Sequence, residues 1–554
     1  MRKLFSILLL AAICFALPAW ADDAPPSHAA VTFDDHGDPV LRAMIAELKR
    51  SQEKLQLGQL QRPYYIEYQV TELQDYTADA FLGALRTDNT NAGRLVRVVV
   101  RIGDYKQDSY FGEGTGTVDV LPMEDNEMAM RHQLWLATDK AYKAALSGFT
   151  EKQAALKNVE HEEDVPDFSQ EKASQALRDT SKLGVDLGAW KGRLAATSEL
   201  FRKDPALQSS SAVYSFRVLN RYFVNTEGTV TRQGRTTYNF AFAGSTQADD
   251  GMKLDRSHSY IVTRPDELPK QEEVSKDAEK LISSFVALKK APLVEDDYRG
   301  PVLFSADATT ALFERLVAPN IVGVRPELGN PARTRGEFAS HYKNRVLPEF
   351  FTVVDDPKAD KIDGTSLAGS YEYDDEGVPA QTVTVIDKGV LANYLVAREP
   401  IRDFPHSNGH GRTALAGSPR PQISNLIVKS ANGLSQEDMK RKLLQMCKDQ
   451  GRPYGYYVET TGPQLTPRLL WRVYVSDGHM ELVRGAVFHE LDTRALRNDI
   501  VAAGNDSYVY NRTEPVPSSI VAPSVLFGEL DIQRANRTRE RLPQYPAPPL
   551  AAGK

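Results

Sequence analysis

Between residues 301 and 532 the chain is a succession of short apolar runs, each ended within a few residues by a turn signal. Residues 382–386 and 390–396 flank Asp387-Lys388-Gly389, residue types that accept the left-handed backbone of a tight hairpin. Residues 301–304, 423–428, 456–459, 469–475, 482–488 and 525–532 are further runs of strand length. A strand cannot bury its apolar side chains alone, so runs this dense must stack as sheets around a shared core. Helical periodicity is confined to three short stretches: 307–318, stopped by Pro319; 434–450; and 495–503. This half predicts a mainly antiparallel β domain.

The first half mixes longer elements. Leu41, Met44, Ile45, Leu48 and Leu55 share one face of a predicted helix. Residues 64–70 alternate as a strand, and 96–102 form a second one ended by Gly103-Asp104. A long helix over 128–157 offers Leu134, Trp135, Tyr142 and Leu146 as core residues. Strands at 213–218 and 222–224 turn through Asn225-Thr226-Glu227-Gly228 into a hairpin partner over 229–242. The helix predicted over 266–290 aligns Val274, Ala278, Leu281, Ile282, Phe285 and Leu288 before Ala291-Pro292 ends it. The expected fold class is α+β in two domains. Residues 22–292 form the N-terminal mixed domain of helices and antiparallel sheet, 293–540 the C-terminal β-rich domain, and 541–554 a disordered Pro-rich tail.

Residues 1–21 carry Arg2 and Lys3, an apolar core from Leu8 to Leu17, and a small-x-small ending at Ala19-Trp20-Ala21. That is the pattern of a signal peptide cleaved after Ala21, and it predicts export to the periplasm or outside the cell. The apolar core is too short to cross a bilayer, which takes roughly 20 residues, and no later stretch is apolar enough. The net charge of −7 is spread over interspersed acidic and basic residues. It gives no general attraction to nucleic acid or anionic lipid. Cys14 leaves with the signal peptide, so Cys447 stands alone and stability must come from core burial. Beside Leu443, Leu444 and Met446 it reads as a packed apolar residue.

A run of motifs in the second half resembles the TldD/PmbA metallopeptidase family. Gly300-Pro301-Val302-Leu303-Phe304 leads into a helix through Leu312-Phe313-Glu314. Tyr373-Asp374-Asp375-Glu376-Gly377-Val378-Pro379 is similar to the family's acidic turn, and Lys388-Gly389-Val390-Leu391 follows it. Arg420-Pro421, Ser424-Asn425-Leu426, Leu482-Val483-Arg484-Gly485-Ala486, Gly504-Asn505-Asp506 and Ala522-Pro523-Ser524 follow in family order. Before Pro301 the likeness is looser: Pro63-Tyr64-Tyr65-Ile66, Arg101-Ile102-Gly103-Asp104 and Leu134-Trp135-Leu136-Ala137-Thr138-Asp139 resemble exported members.

The resemblance implies a zinc held by an HExxxH motif and a later cysteine, with the motif's Glu as general base on a metal-bound water. The matching positions here are Phe313, Glu314 and Ala318. No His lies between His258 and His341, and no Cys follows Cys447. The expectation is therefore no catalytic, cofactor-binding or metal-ligating residue of the family type, and no cofactor. Glu314 reads as a solvated or cap-compensating carboxylate. His406 and His410 sit in a Gly-containing loop; with the carboxylates of Asp374, Asp375 and Glu376 they are the alternative source of metal ligands for an active peptidase. Left to themselves those three carboxylates read as a turn, Glu162, Glu163 and Asp164 as a surface loop, and His489-Glu490 as a strand end. Ser51-x-x-Lys54 falls on an ordinary amphipathic helix, and no nucleophile elbow or phosphate-binding glycine loop is present.

In the family a metal-bearing subunit pairs with a metal-less one around an enclosed cavity. This chain looks like the metal-less TldE type, which binds or scaffolds extended or unfolded peptide as a homodimer or beside a TldD-like subunit. A purely structural envelope protein is the remaining alternative.

Overall fold

The computed structural model describes residues 33–110, 116–159, 165–203 and 207–535. The expected signal peptide, the Pro-rich tail from 541 and the carboxylates at 162–164 lie outside the described residues.

The N-terminal half is one large sheet: β1 (Tyr65–Phe81), β2 (Ala84–Arg101), β3 (Thr117–Val120), β4 (Gln175–Leu177), β5 (Ser209–Asn225), β6 (Val230–Gln247) and β7 (Lys253–Val262). Its order is β3-β2-β1-β5-β6-β4, with β7 also on β6; every pairing is antiparallel except β4 with β6. Alternation gives the sheet two unlike faces. On one, Ile66, Tyr68, Val70, Ala78 and Ala80 of β1 are buried under helices. Here α1 (Pro39–Lys54) and α2 (Glu127–Leu156) cover one end, while α3 (Leu187–Glu199) and α4 (Gln271–Lys290) cover the other. The opposite face is polar: Thr71, Arg221 and Gln233 form one cross-strand row, and Leu219 and Arg235 pair beside it.

Several sequence expectations change here. Strands 213–218 and 222–224 are one strand, β5, and the apolar side chains predicted on α4 are all buried. Trp135, expected in the core, is 44% exposed, its ring beside His132; α2 buries Met130, Leu134, Ala137, Ala141, Tyr142 and Ala145, and its half-buried Leu146 and Phe149 pack against the same core. The helix α3 and the strand β7 had no clear periodicity and were not foreseen.

The C-terminal half holds two stacked sheets. The seven-stranded one centres on β8 (Tyr298–Phe304), flanked by Tyr454–Thr461 and Val525–Arg534. The six-stranded one contains β9 (Phe351–Asp355) between Val383–Asp387 and Asn425–Ser430. One continuous core joins the two sheets and encloses the short helix α5 (Ala306–Leu312). On the outer face, α6 (Gln436–Asp449) packs Met439, Leu443 and Cys447 against Leu303 and Leu526. The hairpin turn forms as read, with Lys388 and Gly389 both at positive φ, but the strand expected over 390–396 pairs only at Val390–Leu391. The predicted helix over 495–503 is instead α7 (Thr493–Asn498) followed by strand Ile500–Ala503, and run 482–488 breaks at Arg484-Gly485 into two strands. The architecture is α+β with mostly antiparallel sheets. Among the described residues no helix is long and apolar enough to cross a membrane.

Candidate functional site

Ser305 opens α5 by accepting the N–H of Ala308 at 3.0 Å. The helix does not continue as α: Phe313–Val317 widen into a π turn, and the N–H of Ala318 donates to the Phe313 carbonyl. In an α-helix, residues five apart lie roughly 140° apart around the axis; the wider π turn brings them onto nearly the same face. The local frame therefore aligns the first and last positions of an HExxxH spacing. Those positions hold side chains without lone pairs. Phe313 is fully buried, edge-on to Phe351 with ring centroids 6.1 Å apart, and Ala318 is buried too. Glu314 is half-buried rather than solvated, and accepts from Nη1 of Arg512 at 2.9 Å. One carboxylate already paired with an arginine, flanked by a phenyl ring and a methyl group, does not fit a zinc ion. Cys447 lies on α6, and burial pushes its thiol up to about 11.

The alternative ligands do not converge. His410 is fully buried, with Nδ1 2.9 Å from the Asn408 carbonyl and Nε2 3.1 Å from Asp355 Oδ1. Both ring nitrogens are thus engaged. His406 is exposed, 3.7 Å from Glu171. Among the described residues no group of three or more His, Cys, Asp or Glu could hold a metal ion.

The acidic turn is not a solvated loop. Asp374, Asp375 and Glu376 are all buried, pressed between the C-terminal domain and the polar face of the N-terminal sheet. Asp374 accepts three backbone N–H groups, from Glu376, Val378 and Gly411, at 2.9–3.0 Å. Asp375 is bound by Arg221 and by the N–H of Thr413 at 2.7 Å, while Arg412 Nε lies 3.5 Å away. These partners offset its burial and hold its carboxyl below the ordinary range. Glu376 accepts the N–H of Arg398 at 2.7 Å, yet burial and the neighbouring charge of Asp374 push its carboxyl well above the ordinary range. Gln69 donates to the Asp375 carbonyl at 3.1 Å and Gln233 to that of Tyr373 at 2.7 Å. Gly377 closes the turn at φ +76°, where a Cβ would meet the Phe223 ring and Thr229 at 2.8 Å.

A second anchor is Arg398, almost completely buried. It donates to the Ser169 carbonyl at 2.6 Å, to Glu227 Oε1 at 2.7 Å and to Tyr65 Oη at 3.1 Å, and stacks on Phe168 at 4.0 Å. None of Arg221, Arg398 and Arg412 was marked by the sequence motifs. The available signal was Asn220-Arg221, polar residues that interrupt an otherwise apolar strand.

Residues 297–534 match the PmbA/TldA metallopeptidase C-terminal domain. A metalloprotease of Methanocaldococcus jannaschii is 35% identical over 101 residues, 18% of this chain and 21% of that relative, so the matched segment spans about a fifth of its length. The structure of TldE from Thermococcus kodakarensis superposes with a TM-score of 0.59 at 14% identity, covering 89% of this chain and all of that one. A structure from Thermotoga maritima, described as a candidate modulator of a DNA gyrase, gives 0.57 at 15% identity over 85% of this chain and 96% of its own. At these identities the superpositions speak for the fold alone. The fold and the matched domain define a metallopeptidase-related protein. By that domain the C-terminal half of the chain is related to the TldD/PmbA family.

Proposed function

We propose that this chain is an exported, metal-less member of the TldE type, which holds or scaffolds extended peptide rather than hydrolysing it. It acts as a homodimer or as the partner of a metal-bearing, TldD-like subunit. The observation that carries this reading is the π turn at Phe313–Val317: it brings Phe313 and Ala318 towards one face, and core packing fills both positions. The sequence also offers no cysteine after Cys447. Extended peptide can add to an open sheet edge through backbone hydrogen bonds, without demanding a particular sequence. The outermost strand β3, with Val118 52% and Val120 62% exposed, is such an edge.

The test is direct. The mature protein is purified, its bound metal is quantified, and it is incubated alone with unfolded peptides. Binding without cleavage and without zinc is expected; stoichiometric zinc with chelator-sensitive cleavage would sink the reading. Affinity capture from the native host should bring down a relative bearing HExxxH, or a second copy of this chain. Mass spectrometry of the secreted form should give a chain beginning at Asp22, and an intact N-terminus would remove the export element.

A further inference from the structure

A cavity of about 740 Å³ lies between the polar face of the N-terminal sheet and the acidic-turn side of the C-terminal domain. Five cationic side chains line it (Arg178, Arg221, Arg235, Lys358 and Arg412) against three carboxylates, Asp360, Glu372 and Asp375. The pairs do not cancel. Glu372 is taken by Arg178, and Asp375 is shared by Arg221 and Arg412. Arg235, half-buried on β6, forms no hydrogen bond or ion pair with another described residue. Nη1 and Nε of Arg412, and Nε of Arg221, are buried and make no hydrogen bond. Arg412 is held in place by the ring of Tyr371, 4.0 Å from its guanidinium. Three guanidiniums thus meet around one carboxylate, with N–H groups left over.

Buried N–H donors without acceptors are costly, and a cationic surplus in a low-dielectric cavity amplifies that cost. Arg235 bears the strain: burial first, then the charges of Arg412 and Arg221, push it down to about 9. A planar oxyanion would relieve both defects, because the guanidinium fork matches it two bonds at a time. A volume of about 740 Å³ is within the usual range for organic ligands, which favours an anion carried on a larger molecule over a free inorganic ion.

We infer that this cavity is a carboxylate-binding site, in which Arg235, Arg412 and Arg221 receive the terminal carboxylate or an acidic side chain of a bound peptide. The inference rests on the peptide-binding reading for its ligand, but not for its chemistry.

The test uses the full mature chain and its Arg235→Gln variant. Because Arg235 pairs with nothing, its removal relieves repulsion, so the variant should melt no lower than the parent. Calorimetric titration compares three unstructured eight-residue peptides: one with a free C-terminus and no acidic residue, its C-terminal amide, and the amide carrying a single Glu. Binding of the first or third at least tenfold tighter than the neutral amide, lost at least tenfold in Arg235→Gln, supports the inference; which of the two binds identifies the source of the carboxylate. Equal binding of all three overturns the inference while the peptide-binding reading stands. If no peptide binds, N-acetylglycine is titrated against thermal stability. Stabilisation of the parent but not of Arg235→Gln keeps the carboxylate site and removes the peptide reading, whereas no stabilisation overturns both.

Discussion

The backbone N–H of Ala318 donates to the carbonyl of Phe313, five residues back, and the widened turn turns both residues into the same core. A ligand frame and a packing frame thus coincide. Phe313 is in close contact with a β-sheet neighbour, Phe351, and leaves no cradle to be filled. Phe313→Ala is therefore expected to cost about 3–5 kcal/mol, the range for emptying a buried aromatic site. Denaturant unfolding checks this; a loss below about 1 kcal/mol would mean that the position is loosely packed after all.

Arg398 and Glu227 come from different halves of the chain and meet at 2.7 Å with almost no solvent access. Removing one member leaves the other charge buried, although Tyr105 and Asn225 still donate to Glu227. Arg398→Met is expected to destabilise by about 3–5 kcal/mol, and the Arg398→Met/Glu227→Gln pair to recover part of that. Equilibrium unfolding of the two variants measures the coupling. Strict additivity would contradict the pairing.

Much of the frame was legible because periodicity reports burial. The stripe on α4 and the hairpin at Lys388-Gly389 were readable from local rules, since one buried face and one left-handed turn each leave a local pattern. The candidate site was legible only as substitutions: a Phe and an Ala where ligands would stand say what cannot be coordinated, not what packs there. The docking of the acidic turn was invisible for a physical reason. A carboxylate triplet looks solvated unless its arginine partners are known, and Arg221 lies 154 residues away from Asp375 in sequence. Asn220-Arg221 seemed to break β5 in two, because Arg221 faces another domain rather than water while Asn220, on the opposite face, is tied to the backbone of Ser181.

Gly377 is held by two constraints at once. Its φ of +76° disfavours any side chain, and the Phe223 ring and Thr229 occupy the space of a Cβ. Gly377→Ala is expected to cost about 1–3 kcal/mol from overpacking, with the left-handed backbone adding to it. Thermal melting checks the size. Because the turn is pressed onto β5, the variant should also open amide exchange around residues 221–224 earlier than in the parent.

Glu376 and Asp374 share one buried pocket, and their protonation sets a pH dependence whose sign can be worked out. Burial pushes the Asp374 carboxyl up to about 7 despite its three N–H donors, and burial together with Asp374 pushes Glu376 far above its ordinary 4.5, so of the two Glu376 is the one that keeps its proton to higher pH. A raised folded pKa means that the folded state binds the proton more tightly than the unfolded chain. The stabilisation is fully present below 4.5 and is lost as pH rises through the raised folded value. Asp375, lowered from 3.8, works the other way: its stabilisation is present above 3.8 and lost as pH falls through its depressed folded value. Glu376→Gln mimics the protonated form and keeps an acceptor for the Arg398 N–H. It should leave stability near pH 4 almost unchanged, raise it relative to the parent above neutrality, and flatten the profile between. Denaturant midpoints from pH 4 to pH 9 measure this directly; a parallel drop of the variant at every pH would show that Glu376 is ionised and needed as an anion.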